Sequence, residues 1–284
     1  MDRAALSRLA TVAGLVLVAA CVWFVGQRLA DEWDAAQDSL RSAEPGWLLA
    51  AVVLAALAMT SIALGWKRVL GALGAPIGTA ASIAWYYVGE IGKYLPGTLW
   101  PVVGRAELAT RGGVPRRIAY QSAALSLLLL YLAAAVVGGA VAEPWVVVPF
   151  VVASVVVLHP KVAGFAIRLA RLDLAMPPLR SSLALVAGYV PTWLLVGTAT
   201  WAVARSLDPG AGWVDVVPAA AASWLVGFLA VPVPGGVGVR EAVFLAAASS
   251  LAPGVAAATA VVARLIFVAV DAAGAAVLAP RARR

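Results

Sequence analysis

The sequence predicts an all-α polytopic membrane protein with about six full spans plus two re-entrant broken-helix hairpins. Three observations predict it. The 284 residues are 63% apolar and only 12% charged, which excludes a soluble domain. Apolar stretches long enough to cross a bilayer recur along the whole chain. Two further apolar stretches are broken by Pro, Gly and an acid–base pair. These breaks are Gly89-Glu90-Ile91-Gly92-Lys93-Tyr94-Leu95-Pro96-Gly97 and Val231-Pro232-Val233-Pro234-Gly235-Gly236-Val237-Gly238-Val239-Arg240-Glu241. Broken backbone at membrane depth is tolerated only inside protein or beside a polar cavity, and charges there are costly and usually functional.

The full spans read as 9–27, 47–65, 118–142, 145–158, 183–204 and 254–279, with 145–158 short for a bilayer core of about 30 Å. The first span lacks a small-residue cleavage site and reads as a retained helix. The breaks sit in segments 80–104 and 214–250, each expected to enter and leave the membrane on one side. Loop charges fix the orientation. The loop Arg28–Glu44 carries net −3, whereas loops 66–79, 105–117 and 159–181 carry +2, +3 and +3, and the tail Arg281, Arg283, Arg284 adds +3. Positive loops stay inside, so both termini are expected to be cytoplasmic. The first hairpin then enters from the cytoplasm and the second from outside, as inverted repeats over about 1–142 and 145–284 would require. The whole chain, 1–284, reads as a single membrane domain. Segment Lys161–Leu174 interleaves Val162, Phe165, Ile167, Leu169 and Leu172 with Arg168 and Arg171, the pattern of either an interfacial amphipathic helix or a plain basic loop.

Six charges remain at membrane depth: Glu90, Lys93, Arg240, Glu241, Arg264 and Asp271. Glu90 and Lys93 are spaced to pair on one helical face. After the turn at Pro96, Gly97-Thr98 would open a second half-helix whose free N–H groups favour an anion beside Lys93. Gly235, Gly236 and Gly238 would let consecutive N–H groups form an anion-binding nest, with Arg240 as a phosphate fork and Glu241 holding Arg240 or binding a proton or cation. Arg264 and Asp271 lie seven apart on one face of the last span and would face the hairpin tips. Tyr94 and Trp100 would line the cavity as aromatics. Enzyme chemistry is not expected. The chain has one Cys (Cys21) and one His (His159), and no metal-ligating or nucleophile motif, so no metal, cofactor or catalytic residue is assigned.

Gly92-Lys93-Tyr94-Leu95-Pro96-Gly97 with Trp100-Pro101-Val102-Val103-Gly104-Arg105, and Pro232-Val233-Pro234-Gly235-Gly236-Val237-Gly238-Val239-Arg240-Glu241, resemble the lysylphosphatidylglycerol synthase transmembrane region family. The resemblance covers about 10–280. It implies a lipid-flipping fold with two re-entrant hairpins and inverted repeats, with Lys93, Arg105, Arg240 and Glu241 as headgroup or gating residues. These 284 residues hold no aminoacyl-transferring soluble domain, so lysyl-lipid synthesis is not carried over. Stand-alone members look like carriers of other lipids, among them polyprenyl-phosphate-linked sugars. The expected function is therefore a flippase of the bacterial cytoplasmic membrane, moving a phosphate-headed lipid: a polyprenyl-phosphate-linked sugar, or an anionic or aminoacylated phospholipid. Lys93, Arg105, Arg240, Gly235, Gly236 and Gly238 would take the headgroup, and Glu90, Glu241, Arg264 and Asp271 would gate or balance charge. The alternative is a non-transporting scaffold that presents lipid to a glycosyltransferase or lipid synthase partner. No nucleic-acid partner is expected.

Overall fold

A computed structural model describes residues 41, 43–94, 100–139, 144–169, 176–230, 236 and 238–282, all helical or turn with no strand among them. The expected span 9–27 lies outside the described residues. Ten α-helices follow in order: α1 (Pro45–Ala72), α2 (Thr79–Glu90), α3 (Trp100–Arg111), α4 (Arg116–Gly138), α5 (Val147–Leu158), α6 (Pro160–Leu169), α7 (Leu179–Leu207), α8 (Trp213–Leu229), α9 (Val239–Ala247) and α10 (Pro253–Ala282). Four of them, α1, α4, α7 and α10, are long and apolar enough to cross a membrane. Their ends run past the sequence-based limits by a few residues, except that α4 stops at Gly138 rather than 142. Segment 145–158 forms a short turn, Pro144–Val146, and the 12-residue α5. At 1.5 Å per residue α5 reaches about 18 Å, short of the apolar thickness of about 30 Å.

The four long helices form the frame. Contacts set their directions. Glu44 N–H donates to the Ser206 carbonyl (3.1 Å), Trp47 meets Trp201 edge-on, and Ser61 bonds Thr192 (2.7 Å), so α1 and α7 are antiparallel. Ser126 bonds Tyr189 (2.8 Å) and the Trp193 indole donates to the Leu130 carbonyl (2.7 Å), so α4 runs with α7. Ala51 shares a cluster with Ala258 and Leu70 shares one with Ala282, so α10 runs with α1. These are the relative directions that the loop charges demand. Leu49, Val53, Leu57, Leu265 and Val277 point outward from α1 and α10 and are more than half exposed, as side chains facing lipid would be.

Each broken segment folds into a pair of short helices that lie side by side. Neither α2 nor α3, at 12 residues each, spans more than about 18 Å. Helix α2 starts near the end of α1 and runs back along it, with Ser82 Oγ donating to the Ala63 carbonyl and the Tyr87 hydroxyl to that of Ala56. Its return partner α3 comes so close that a Cβ at Gly89 would lie 2.8 Å from the Arg105 backbone nitrogen. The second pair starts at the other end of the bundle. Helix α8 turns back along α7 through residues 208–212, and the Trp201 indole donates to the Ala211 carbonyl (2.9 Å). Gly227 in its last turns is pressed by the Arg240 side chain of α9. In both hairpins a glycine near the end of the first helix receives an arginine from the second. The two hairpins thus enter from opposite ends of the frame. The end that hairpin α2–α3 enters carries Lys67, Arg68, Arg111, Arg116 and Arg117. The end that α8–α9 enters carries Glu44, Asp208 and Asp215 with Arg41 and Arg205.

Helix α6 realises the helical reading of the segment after His159. It is short, and Val162, Phe165 and Leu169 are exposed on it beside Lys161 and Arg168. His159 ends α5, and its Nδ1 accepts the Lys161 N–H (3.3 Å).

Candidate functional site: a charged cavity between two hairpin tips

The described inner ends of the two hairpins converge on Trp224 of α8. Helix α2 ends at Glu90 and tightens into a 3-10 turn, Ile91–Tyr94, which carries Lys93 inward. Lys93 Nζ lies 2.6 Å from Asp271 Oδ2 on α10 and 3.4 Å from Glu90 Oε1. Asp271 is completely buried. From the other side, α9 presents Arg240, whose guanidinium carbon sits 3.3 Å above the Trp224 ring of α8. Lys93 Nζ approaches the same ring at 5.8 Å. Trp224 is therefore the shelf on which a cation from each hairpin rests, an arrangement that gains strength where water is excluded.

Two lobes share this shelf, and Lys93, Trp224 and Arg240 line both. One takes in Thr200, Ser223, Glu241 and Arg264. The larger is walled by Tyr86, Tyr131, Trp193 and Phe228, with Glu90 and Arg105. Aromatic contacts tie the walls together: Tyr131 stacks on Phe228 at 3.9 Å, and Trp224 meets Trp193 and Phe267 edge-on at 6.0 and 5.1 Å.

Several expectations change here. Glu241 does not hold Arg240. Consecutive helical residues point about 100° apart, and Glu241 turns to the Gly238 N–H, which donates to Oε2 at 2.6 Å, and to Arg264, which donates to Oε1. Gly238, with φ +80°, therefore spends its N–H on capping α9 rather than on an anion nest. Gly236 lines the larger lobe at φ +66°, and a Cβ there would press the Gly227 carbonyl at 2.9 Å. Gly235, the turn around Pro96 and the Tyr94 side chain lie outside the described residues. Trp100 is half exposed and does not line either lobe, because its backbone packs on Gly92. Arg105, counted with the cytoplasmic loop by charge, is instead 2% exposed and lines the larger lobe. Helix α3 packs back on Gly89, which draws Arg105 into the cavity wall. Arg264 and Asp271 do face the tips, each paired with the opposite charge from one hairpin. Trp224, Tyr131, Trp193 and Phe228 were not singled out by sequence. A tryptophan in the middle of an apolar segment, rather than at its edge, was the available signal for Trp193 and Trp224.

Among the described residues no three His, Cys, Asp or Glu side chains gather as a metal site. What the cavity offers is cationic hydrogen-bond donors at membrane depth. A family model described as the lysylphosphatidylglycerol synthase TM region matches residues 11–278, both hairpins included. The chain belongs to this family. Membership in the lysylphosphatidylglycerol synthase TM region family marks it as a multi-pass membrane protein related to lipid metabolism or transport. A search of curated proteins finds no match. In this member of the family, the matched stretch takes in every helix that lines the cavity.

Proposed function

We propose that this chain is a lipid flippase of the bacterial cytoplasmic membrane, with both termini cytoplasmic, and that the cavity between the hairpin tips receives a phosphate-headed lipid. The observation that carries the reading is the convergence of Lys93, Arg105 and Arg240 on one cavity from two hairpins that enter from opposite ends. Broken helices in opposite orientation, meeting at mid-depth, are the arrangement that inverted-repeat transporters use for a substrate site. Guanidinium and ammonium groups on an aromatic shelf suit phosphate oxygens. The basic end of the frame would face the cytoplasm. The lipid would enter sideways with its tails in the bilayer. Each hairpin is tied to α10 by one ion pair, Lys93–Asp271 and Glu241–Arg264, so rocking one hairpin against α10 would open the cavity toward that hairpin's own side.

Native mass spectrometry of gently purified protein tests the headgroup site. Wild type should retain a phosphate-headed lipid, and Arg240→Ala should lose it by about tenfold or more, the loss expected for a charge-assisted contact. Equal retention by both proteins would remove the proposal and favour the scaffold reading, with a glycosyltransferase or lipid synthase as the partner to seek.

A further inference from the structure

We infer that the cavity is charge-matched to a lipid headgroup carrying one net negative charge, a phosphodiester, and that Arg105 sets this preference. The inference rests on the headgroup-site reading above and narrows its substrate class.

Among the described residues, the cavity walls and their ion-pair partners hold four bases, Lys93, Arg105, Arg240 and Arg264, against three acids, Glu90, Glu241 and Asp271. The sequence at 95–99 and 231–235 contains no ionisable side chain. The site therefore carries one surplus positive charge. The acids are committed: Asp271 and Glu90 face Lys93, and Glu241 faces Arg264. Among the described residues Arg105 has no such carboxylate beside it. Its Nε donates to the Pro101 carbonyl at 3.3 Å, and its guanidinium lies between the rings of Trp66 and Tyr86 at 5.6 and 5.5 Å. Among the described residues no carboxylate lies within ion-pair distance of it.

An uncompensated guanidinium at 2% exposure calls for a counter-anion, because burial strips its hydration and no acid replaces it. One phosphodiester oxyanion brings the cavity to neutrality, and a guanidinium fork fits its two oxygens. A phosphomonoester, at about −1.5 to −2, overshoots. A zwitterionic headgroup leaves the surplus in place. An aminoacylated headgroup with net positive charge adds to it and meets like charges at close range, where the low dielectric makes repulsion strong. The structure thus favours the anionic lipids over the aminoacylated ones expected from family resemblance.

The test presents the full-length protein, in nanodiscs, with equal amounts of phosphatidylglycerol, phosphatidylethanolamine, phosphatidate and lysylphosphatidylglycerol, and reads bound lipid by native mass spectrometry. Wild type should retain phosphatidylglycerol over each of the others by about tenfold or more. Arg105→Gln, which removes the surplus charge, should hold phosphatidylethanolamine as well as phosphatidylglycerol. Asp271→Asn, which adds a charge, should move the preference to phosphatidate. An unchanged ranking in Arg105→Gln overturns the inference, as does a wild type that holds phosphatidate or lysylphosphatidylglycerol as well as phosphatidylglycerol. Selective binding with the wrong charge ranking leaves the headgroup site standing and removes only the charge match. Retention of none of these lipids by wild type removes both.

Discussion

Asp271→Ala is expected to lower stability by about 3–5 kcal/mol, the loss typical of breaking a buried ion pair by removing one partner. Lys93 sits 2.6 Å from the Asp271 carboxylate, and the carboxylate is wholly buried in α10. Without it the ammonium is left with the longer contact to Glu90, at 3.4 Å, and the first hairpin loses the Lys93–Asp271 tie to α10. Removing both charges should hurt less than removing one, since an apolar pair leaves no orphaned ion. The measurement is thermal unfolding in detergent of wild type, Asp271→Ala, Lys93→Met and the double variant. Lys93→Met/Asp271→Ala should melt clearly above Asp271→Ala. A double variant that melts as low as, or lower than, the aspartate variant would show that the pair does not hold the tip.

Trp224→Ala is the second large effect. The indole supports Arg240 at 3.3 Å, approaches Lys93, and joins Trp193 to Phe267 through edge contacts. Truncating a tryptophan in such a setting costs about 3–5 kcal/mol. It also frees the Arg240 guanidinium from a cation–π contact worth about 2 kcal/mol when desolvated. Trp224→Phe keeps a face and should retain most of the stability and most of the bound lipid. If Trp224→Ala melts like wild type and retains the same lipid, the shelf has no role in placing Arg240.

Much of this architecture was legible in the sequence because a bilayer imposes simple rules. Spans must be about 20 apolar residues long, and loop charge sets direction. Thus 47–65, 183–204 and 254–279 all fall inside observed helices, and the relative directions of the long helices agree with the charge count. The breaks at Lys93 and Arg240 were legible for the same reason, since Pro, Gly and charge have no cheap place in lipid. What sequence did not yield was partner choice. Glu90–Lys93 is local and was found by spacing, whereas the shorter contact, Lys93–Asp271, joins residues far apart in the chain. Adjacency misled at Arg240-Glu241, where helix geometry sends the two side chains to different partners. The charge count put Arg105 in a loop while the family resemblance put it at the headgroup; loop counts ignore how a hairpin folds back, and the Gly89–Gly104 contact is what carries it inward. Trp224 was missed because an indole inside an apolar segment reads as core until a cation is seen on its face.

On the proposed function, two hairpins entering from opposite ends build one headgroup site used for transport. Reconstituted vesicles test it most directly. Transbilayer movement of a fluorescently tailed phosphatidylglycerol is followed for wild type, Arg240→Ala and Lys93→Ala. One variant then lesions each hairpin. The account predicts that wild type speeds movement well above protein-free vesicles and that both variants fall back by about tenfold or more, the effect of losing one buried charged contact. Movement at the wild-type rate in both variants, or no acceleration by wild type, would contradict it.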